Sequence, residues 1–223
     1  MISTARAAML AATVFLAATE IQGQDPPLPL DPLTAQERVL ADEVARSDSR
    51  VREFLAAGRS RNIYTDFMSV KEPRATDVRS DVPSRRHAEA LFYNYDRREG
   101  LRALIDLSER RVVDIARVPG QSVPINAEEV AEAARLALAD QRVIRLFGDR
   151  MPAFRVATGP ATREDLESAR IEGLRLAGAG ERDPCTRNRC IMLFFRVNNR
   201  YLQMNRVSVD LTTQQVLIRG GDR

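Results

Sequence analysis

The chain has no tryptophan, one histidine (His87), one lysine (Lys71) and two cysteines (Cys185 and Cys190) among 223 residues. Each scarcity excludes a class of chemistry. A three-imidazole metal site cannot be built from one histidine, and a mixed site would need His87, Cys185 and Cys190 together, which their spacing does not suggest. No Ser-His-Asp order, glycine-rich phosphate loop or metal-spaced motif is present either. No catalytic residue, cofactor or metal ligand is therefore assigned. Excess charge is also lacking: 34 basic against 31 acidic residues leave +3, too weak a field to indicate a nucleic-acid partner. Arginine makes up 33 of the 34 cations, a compositional bias rather than a functional sign. Long apolar runs are missing too. The longest uncharged apolar stretch, Ala7 to Thr19, has 13 residues, whereas a helix needs roughly 20 to cross a bilayer, so no membrane span is expected.

That short stretch has another reading. Arg6 followed by AAMLAATVFLAA has the positive start and apolar centre of a signal peptide, with small residues at Ala17, Ala18 and Gly23 that leave the cleavage point open. Residues 1–23 are expected to be removed and the protein to be periplasmic or secreted. Residues 24–32 form a proline-rich lead-in, extended because proline fixes φ and lacks the N–H a helix needs. Over its whole length the chain is 44% hydrophobic and 29% charged, a globular composition.

An internal repeat organises the rest. Leu33-Thr34-Ala35-Gln36-Glu37 matches Ile125-Asn126-Ala127-Glu128-Glu129 at an offset of 92, and the same offset carries Ala45, Asp48, Arg50 and Val51 onto Ala137, Asp140, Arg142 and Val143. Each copy opens with a capping signature, T-x-x-E or N-x-x-E, whose polar side chain accepts from a free N–H of the first turn. Each continues in an apolar stripe of helical period and ends near a glycine, Gly58 or Gly148. The spacing predicts single helices over Thr34 to Ala57 and Asn126 to Phe147.

Strands come after each helix. Ala90–Tyr95, Leu101–Leu107 and Arg111–Arg117, parted by polar turns, read as a meander, and Cys190–Val197, Tyr201–Leu211 and Gln215–Arg219 as its second copy. Ile63–Lys71 and Ala153–Thr158 are expected as the additional first strand of each sheet. Ile105-Asp106-Leu107-Ser108 matches Val209-Asp210-Leu211-Thr212 at an offset of 104, which places a 12-residue insertion in Ala161 to Pro184. The fold class is α+β: two tandem units, 33–120 and 124–220, each with one helix packed on a four-stranded antiparallel sheet.

The opening PPLPLDPLTAQE, the meander LFYNYDRREGLRALIDLSERRVVDI and the second start PINAEE resemble the second and third, cystatin-like, N-terminal domains of copper-containing amine oxidases. The resemblance runs from Leu28 to about Ile218. It implies the accessory fold without the large catalytic domain, and so an exported, non-catalytic binding protein. A protein partner is implied but not named; the alternative is an accessory subunit of a separate amine oxidase or other redox enzyme. Asn94-Tyr95-Asp96 imitates the N-Y-D/E string around the tyrosine that those oxidases convert to topaquinone. That conversion needs copper on three histidines, so Tyr95 is expected instead to be a strand tyrosine beside a charged turn, outside any deep pocket. A cystatin-type protease inhibitor is a weaker reading, because Gln121-Ser122-Val123-Pro124-Ile125 lacks the glycine of the Q-x-V-x-G inhibitory loop and lies between the units.

Two candidate sites remain. Cys185 and Cys190, in an oxidising compartment, predict a disulfide closing a short loop, worth roughly 2 kcal/mol by chain entropy. Redox chemistry usually uses C-x-x-C, and the wider C-T-R-N-R-C spacing favours a structural bridge. Arg85 and Arg86, with Arg97 and Arg98 in the adjoining turn, are candidates for contact with an anion or a partner if the strand brings them together.

Overall fold

The computed structural model describes residues 31–68, 86–147, 154–156, 169–178, 180–198, 200–202 and 207–219. The expected signal peptide, most of the lead-in, Arg85 and Gly148 lie outside these residues. Helix α1 (Ala35–Ser47) starts as its capping box requires. Thr34 accepts from the Glu37 N–H, and the Glu37 carboxylate accepts from the Thr34 N–H. Asn126 and Glu129 open α3 (Ala127–Ala139) in the same way.

Neither helix runs on as the apolar stripes predict. Asp48 leaves the helical region (φ −67°, ψ 133°) and caps a separate α2 (Ser49–Ala56), and Asp140 (φ −83°, ψ 121°) separates α3 from α4 (Gln141–Phe147). The cause is local. Each aspartate accepts from the N–H two residues on, at 2.8 Å, and chelates that residue's guanidinium, Arg50 or Arg142. Such bonds compete with the helical ladder. Because Asp48 and Arg50 repeat as Asp140 and Arg142, the kink belongs to the repeat.

The first sheet is antiparallel in chain order: β1 (Ser60–Met68), β2 (His87–Asn94), β3 (Glu99–Asp106) and β4 (Arg111–Pro119). Polar side chains close its hairpins. Asn94 accepts from the N–H groups of Asp96 and Arg97, and Asp106 from those of Ser108 and Glu109, while Arg98 and Arg110 turn the chain with φ of 57° and 50°. Gly58 (φ 141°) joins α2 to β1 where a Cβ would stand 2.0 Å from the Asp96 carboxylate, so only glycine fits.

The second sheet departs from expectation at its insertion. It comprises β5 (Arg155–Val156), β6 (Arg170–Leu176), β7 (Cys190–Val197), β8 (Arg200–Tyr201), β9 (Val207–Asp210) and β10 (Gln215–Ile218). Its order is β10-β9-β7-β6-β5, with β8 paired to the end of β7. The counterpart of β1, antiparallel to the next strand, is therefore β6, inside the segment expected to be insertion. Of the described residues in Ala153–Thr158, Arg155–Val156 is strand, and it runs parallel to β6. The expected strand Tyr201–Leu211 is represented by β8 and β9 as separate pieces. The final turn keeps the repeat: Asp210 accepts from Thr212 and Thr213, and Gln214 takes φ 58°, as Arg110 does one copy earlier.

Two cores result. Ala41, Ala45, Val51 and Phe54 of α1 and α2 pack with Ala88, Ala90 and Phe92 on one face of the first sheet. The other face of that sheet, through Ile63, Leu91, Tyr93 and Tyr95, joins Val130, Ala133, Ala137 and Val143 of α3 and α4 and then Ile191, Leu193, Val207 and Val209 of the second sheet. β2 is thus covered on both sides, which explains why Ala90-Leu91-Phe92-Tyr93 is an unbroken apolar run rather than an alternating one.

Candidate functional site

The most concentrated chemistry lies in the second of these cores, where the first sheet meets α3 and the second sheet. Glu129, in the first turn of α3, and Arg189, just before β7, are both completely buried. Arg189 binds both carboxylate oxygens of Glu129, at 2.5 Å from Nε and 2.6 Å from Nη2. Its other N–H groups reach the Val123 and Pro124 carbonyls of the connecting segment. The guanidinium lies 4.4 Å from the Tyr93 ring centroid, and the Tyr95 hydroxyl donates to Glu129 Oε1 at 2.7 Å. Arg175 donates to the Gly120 and Val123 carbonyls at 2.6 Å each. Around the rim, Arg59 covers Tyr95 at 4.1 Å and pairs with Glu132, which Arg61 also binds at 2.6 Å.

The electrostatics are set by burial. Tyr95 has its pKa pushed far up, first by loss of water and then by the Glu129 charge. Burial also raises Tyr93, and lowers Arg175, which in addition faces Arg189. The phenol of Tyr95 is thus a neutral hydrogen-bond donor at any physiological pH. This corrects the expectation that Tyr95 stands outside a deep pocket: it is sealed. The residues here do not fit a copper site, since they offer no imidazole, and among the described residues no group of three His, Cys, Asp or Glu side chains could hold a metal ion. Both carboxylate oxygens of Glu129 are engaged from within the chain, so this arrangement fastens the connecting segment to both sheets rather than exposing a reactive group.

The sequence-derived candidates fall elsewhere. Cys185 and Cys190 lie at disulfide distance, with Sγ atoms 2.07 Å apart, in the loop that carries Arg189. Intact-mass analysis under alkylation should therefore show two thiols only after reduction; free thiols in the native protein would contradict the pair. Arg86 and the Arg97-Arg98 turn sit at opposite ends of the eight-residue β2, roughly 25 Å apart at 3.3 Å per residue, so the strand separates the basic cluster instead of assembling it. Arg97 is within 3.9 Å of Glu99. Gln121–Ile125 is no free inhibitory loop, because Val123 is buried and its carbonyl is held by two arginines. His87 is buried in β2 at the register position of Asp106.

Arg86 has its own structural task. It binds Glu37 and the carbonyls of Asp31 and Pro32 at 2.9 and 3.0 Å, tying the lead-in to the start of α1. The Arg86 hydrogen bond holds Glu37 down from 4.5 to about 2. The folded chain therefore keeps Glu37 ionised where the unfolded chain would protonate it. The pair contributes stability above pH 4.5 and loses it as pH falls toward about 2. Arg86→Met should lower the thermal midpoint at neutral pH, with the deficit shrinking steadily as the solution approaches that lower limit.

Glu129 and Arg189 were not singled out from sequence. Glu129 is legible only as a capping residue, and nothing local marks Arg189 as buried. A second feature missed is an apolar pocket of about 630 Å³ on the outer face of the second sheet, lined by Glu172, Gly173, Leu174, Phe194 and Tyr201. There the Tyr201 hydroxyl donates to Glu172 at 2.7 Å.

The chain matches no protein-family model and no curated protein sequence. Among solved structures it is similar to a copper-containing benzylamine oxidase from Hansenula polymorpha, at 12% identity and a TM-score of 0.51. The match covers 86% of this chain and 30% of the oxidase chain. What the chain shares with that oxidase is a fold, over most of its own length and less than a third of the oxidase's.

Proposed function

We propose that the protein is an exported, non-catalytic interaction module made of two tandem cystatin-like units, 33–120 and 124–220, related to the accessory N-terminal domains of copper amine oxidases and without their activity. The observation that carries this reading is the combination of an oxidase-like fold with a sequence holding one histidine, which cannot supply the three imidazoles that oxidation of a tyrosine to a quinone requires in that family. The locked Tyr95 phenol supports it, since its oxygen is committed to Glu129. Export is supported by the signal-like start and by the cysteine pair.

A second reading, an accessory subunit of a separate amine oxidase or other redox enzyme, is favoured by the same fold likeness. One preparation tests both. Incubated aerobically with copper(II), the purified protein should give no quinone stain, no new visible absorption and no oxidation of primary amines. A copper-dependent quinone signal that vanishes in Tyr95→Phe would overturn the non-catalytic reading. Copurification from periplasmic extract with a quinone-bearing oxidase would instead assign the chain to the second.

A further inference from the structure

We infer that the Cys185–Cys190 loop is a latch that fastens the two helix–sheet units into one rigid body, so that opening the disulfide uncouples the units while each keeps its own sheet. This goes beyond the proposed function and does not depend on it. The inference rests on where the loop's groups go. Arg189 lies inside the covalent ring, next to Cys190, and its side chain bonds to atoms outside the second sheet: Glu129 on α3 and the Val123 and Pro124 carbonyls of the connecting segment. The same guanidinium stacks on Tyr93 of the first sheet, and the Glu129 it holds accepts from Tyr95. A second tie runs from Gln121 Nε2 to the Thr186 carbonyl, also within the ring, at 3.3 Å.

The loop's other bonds anchor it to the second sheet. The Arg189 carbonyl accepts from Leu211, the Arg189 N–H donates to Thr212 Oγ1, and Asn188 donates to Asp210 at 2.6 Å. The ring is therefore a bracket with one side fixed to the second sheet and the other gripping the connecting segment and the first sheet. Of its residues only Cys190 pairs in a ladder, and the loop is otherwise shaped by one turn of 3₁₀ helix at Pro184–Thr186, by these side-chain and backbone bonds and by the cross-link. The remaining ties between the units include the apolar packing of Ile63 and Leu91 against α3 and the second sheet, the Asn126 side-chain amide on the Asn62 and Ile63 carbonyls, and the Arg59 and Arg61 pairs with Glu132, and none of these fixes the connecting segment as Arg189 does.

Opening the latch is a two-electron reduction. A dithiol reductant attacks the disulfide, its two sulfurs join to each other, and its two hydrogens end on the Cys185 and Cys190 thiols. Both sulfurs belong to buried residues, so the exchange requires the loop to lift. The loop then gains freedom that the buried Arg189 geometry cannot tolerate without losing its bonds to Glu129 and the connecting segment.

Tyrosines report the result, because the chain has no tryptophan and Tyr93 and Tyr95 both sit under the latch. The full chain would be treated with tetranitromethane in oxidised form, after reduction with dithiothreitol followed by alkylation of the thiols with iodoacetamide and removal of both reagents, and as the Cys185→Ser/Cys190→Ser variant, with exposed Tyr201 as the internal control. Amide exchange at Ala103 in β3 and Leu193 in β7 would track each sheet separately. The oxidised protein should leave Tyr93 and Tyr95 unmodified. The reduced protein and the double variant should nitrate both while Ala103 and Leu193 stay protected, and Arg189→Met should do the same with the disulfide intact. If Tyr93 and Tyr95 remain unmodified after reduction, the bond is only a local staple and the inference fails. It fails equally if protection at Ala103 and Leu193 disappears together with the nitration barrier.

Discussion

Glu129→Ala should cost about 3–5 kcal/mol, the range for removing one partner of a buried ion pair. The reason is what it leaves behind. The Arg189 side chain is wholly enclosed, so its charge would lose the carboxylate that pairs it, with no water to replace it. The Tyr95 hydroxyl would lose its acceptor in the same cavity, and the Asn126 N–H would lose the capping carboxylate that begins α3. For a chain of this size each kcal/mol moves the thermal midpoint by roughly 2–4 °C, so a fall of about 6–20 °C is expected by circular dichroism. A double replacement, Glu129→Leu with Arg189→Met, should recover much of it, because exchanging a buried pair for apolar groups of similar volume is often neutral. Recovery should be incomplete, because the Tyr95 hydroxyl and the Asn126 N–H still lack their Glu129 acceptor and one carbonyl of the connecting segment loses its donor. The Val123 carbonyl keeps its bond from Arg175, whereas Pro124 loses the bond Arg189 makes to it. A single Glu129→Ala variant with an unchanged midpoint would mean that the pair is hydrated in solution.

What could be read from sequence was what is decided within a few residues. The capping boxes at Thr34 and Asn126 name their own partners three residues on, and the hairpin turns announce themselves through Asp106 and Asp210, whose carboxylates close the turn on the next N–H groups. The kinks were harder, since Asp48 and Asp140 sit between apolar positions that keep helical period on both sides; a D-x-R pair at matching places in both copies was the available signal. Strand β6 was hidden because Leu174 faces solvent and Gly173 interrupts the pattern, the latter because a Cβ there would lie 2.8 Å from Val130 on α3. The clamp was out of reach for a different reason. Glu129 and Arg189 are 60 positions apart, and the role of Glu129 as a cap accounts for it locally, so no remainder pointed to a second partner. The unbroken run Ala90-Leu91-Phe92-Tyr93 was the one visible hint, because a strand that faces water on one side would alternate.

Val51→Asp and Val143→Asp should each lower stability by several kcal/mol, and they should do so alike. The offset of 92 makes the two positions equivalent, and both side chains are fully buried, Val51 in the α2 core over the first sheet and Val143 in the α4 core over the second. Neither position is a cap or an ion-pair partner, so what aspartate brings is a carboxylate in an apolar site. Such a group resists ionising, and the folded chain binds its proton more tightly than the unfolded chain does. That fixes the sign: the penalty is smallest below the unfolded value of about 4 and grows as pH rises above it. The deficit against the parent protein should therefore be larger at neutral pH than in mild acid, as for Arg86→Met, but here because a new carboxylate must be kept protonated rather than because an existing one loses its partner. Arg52→Asp and Arg145→Asp, on the exposed sides of the same two helices, should shift the midpoint by no more than about 0.5 kcal/mol in equivalent terms. If Val51→Asp destabilised and Val143→Asp did not, the two helices would not be copies packed in the same manner, and the repeat would fail as the organising feature of the chain.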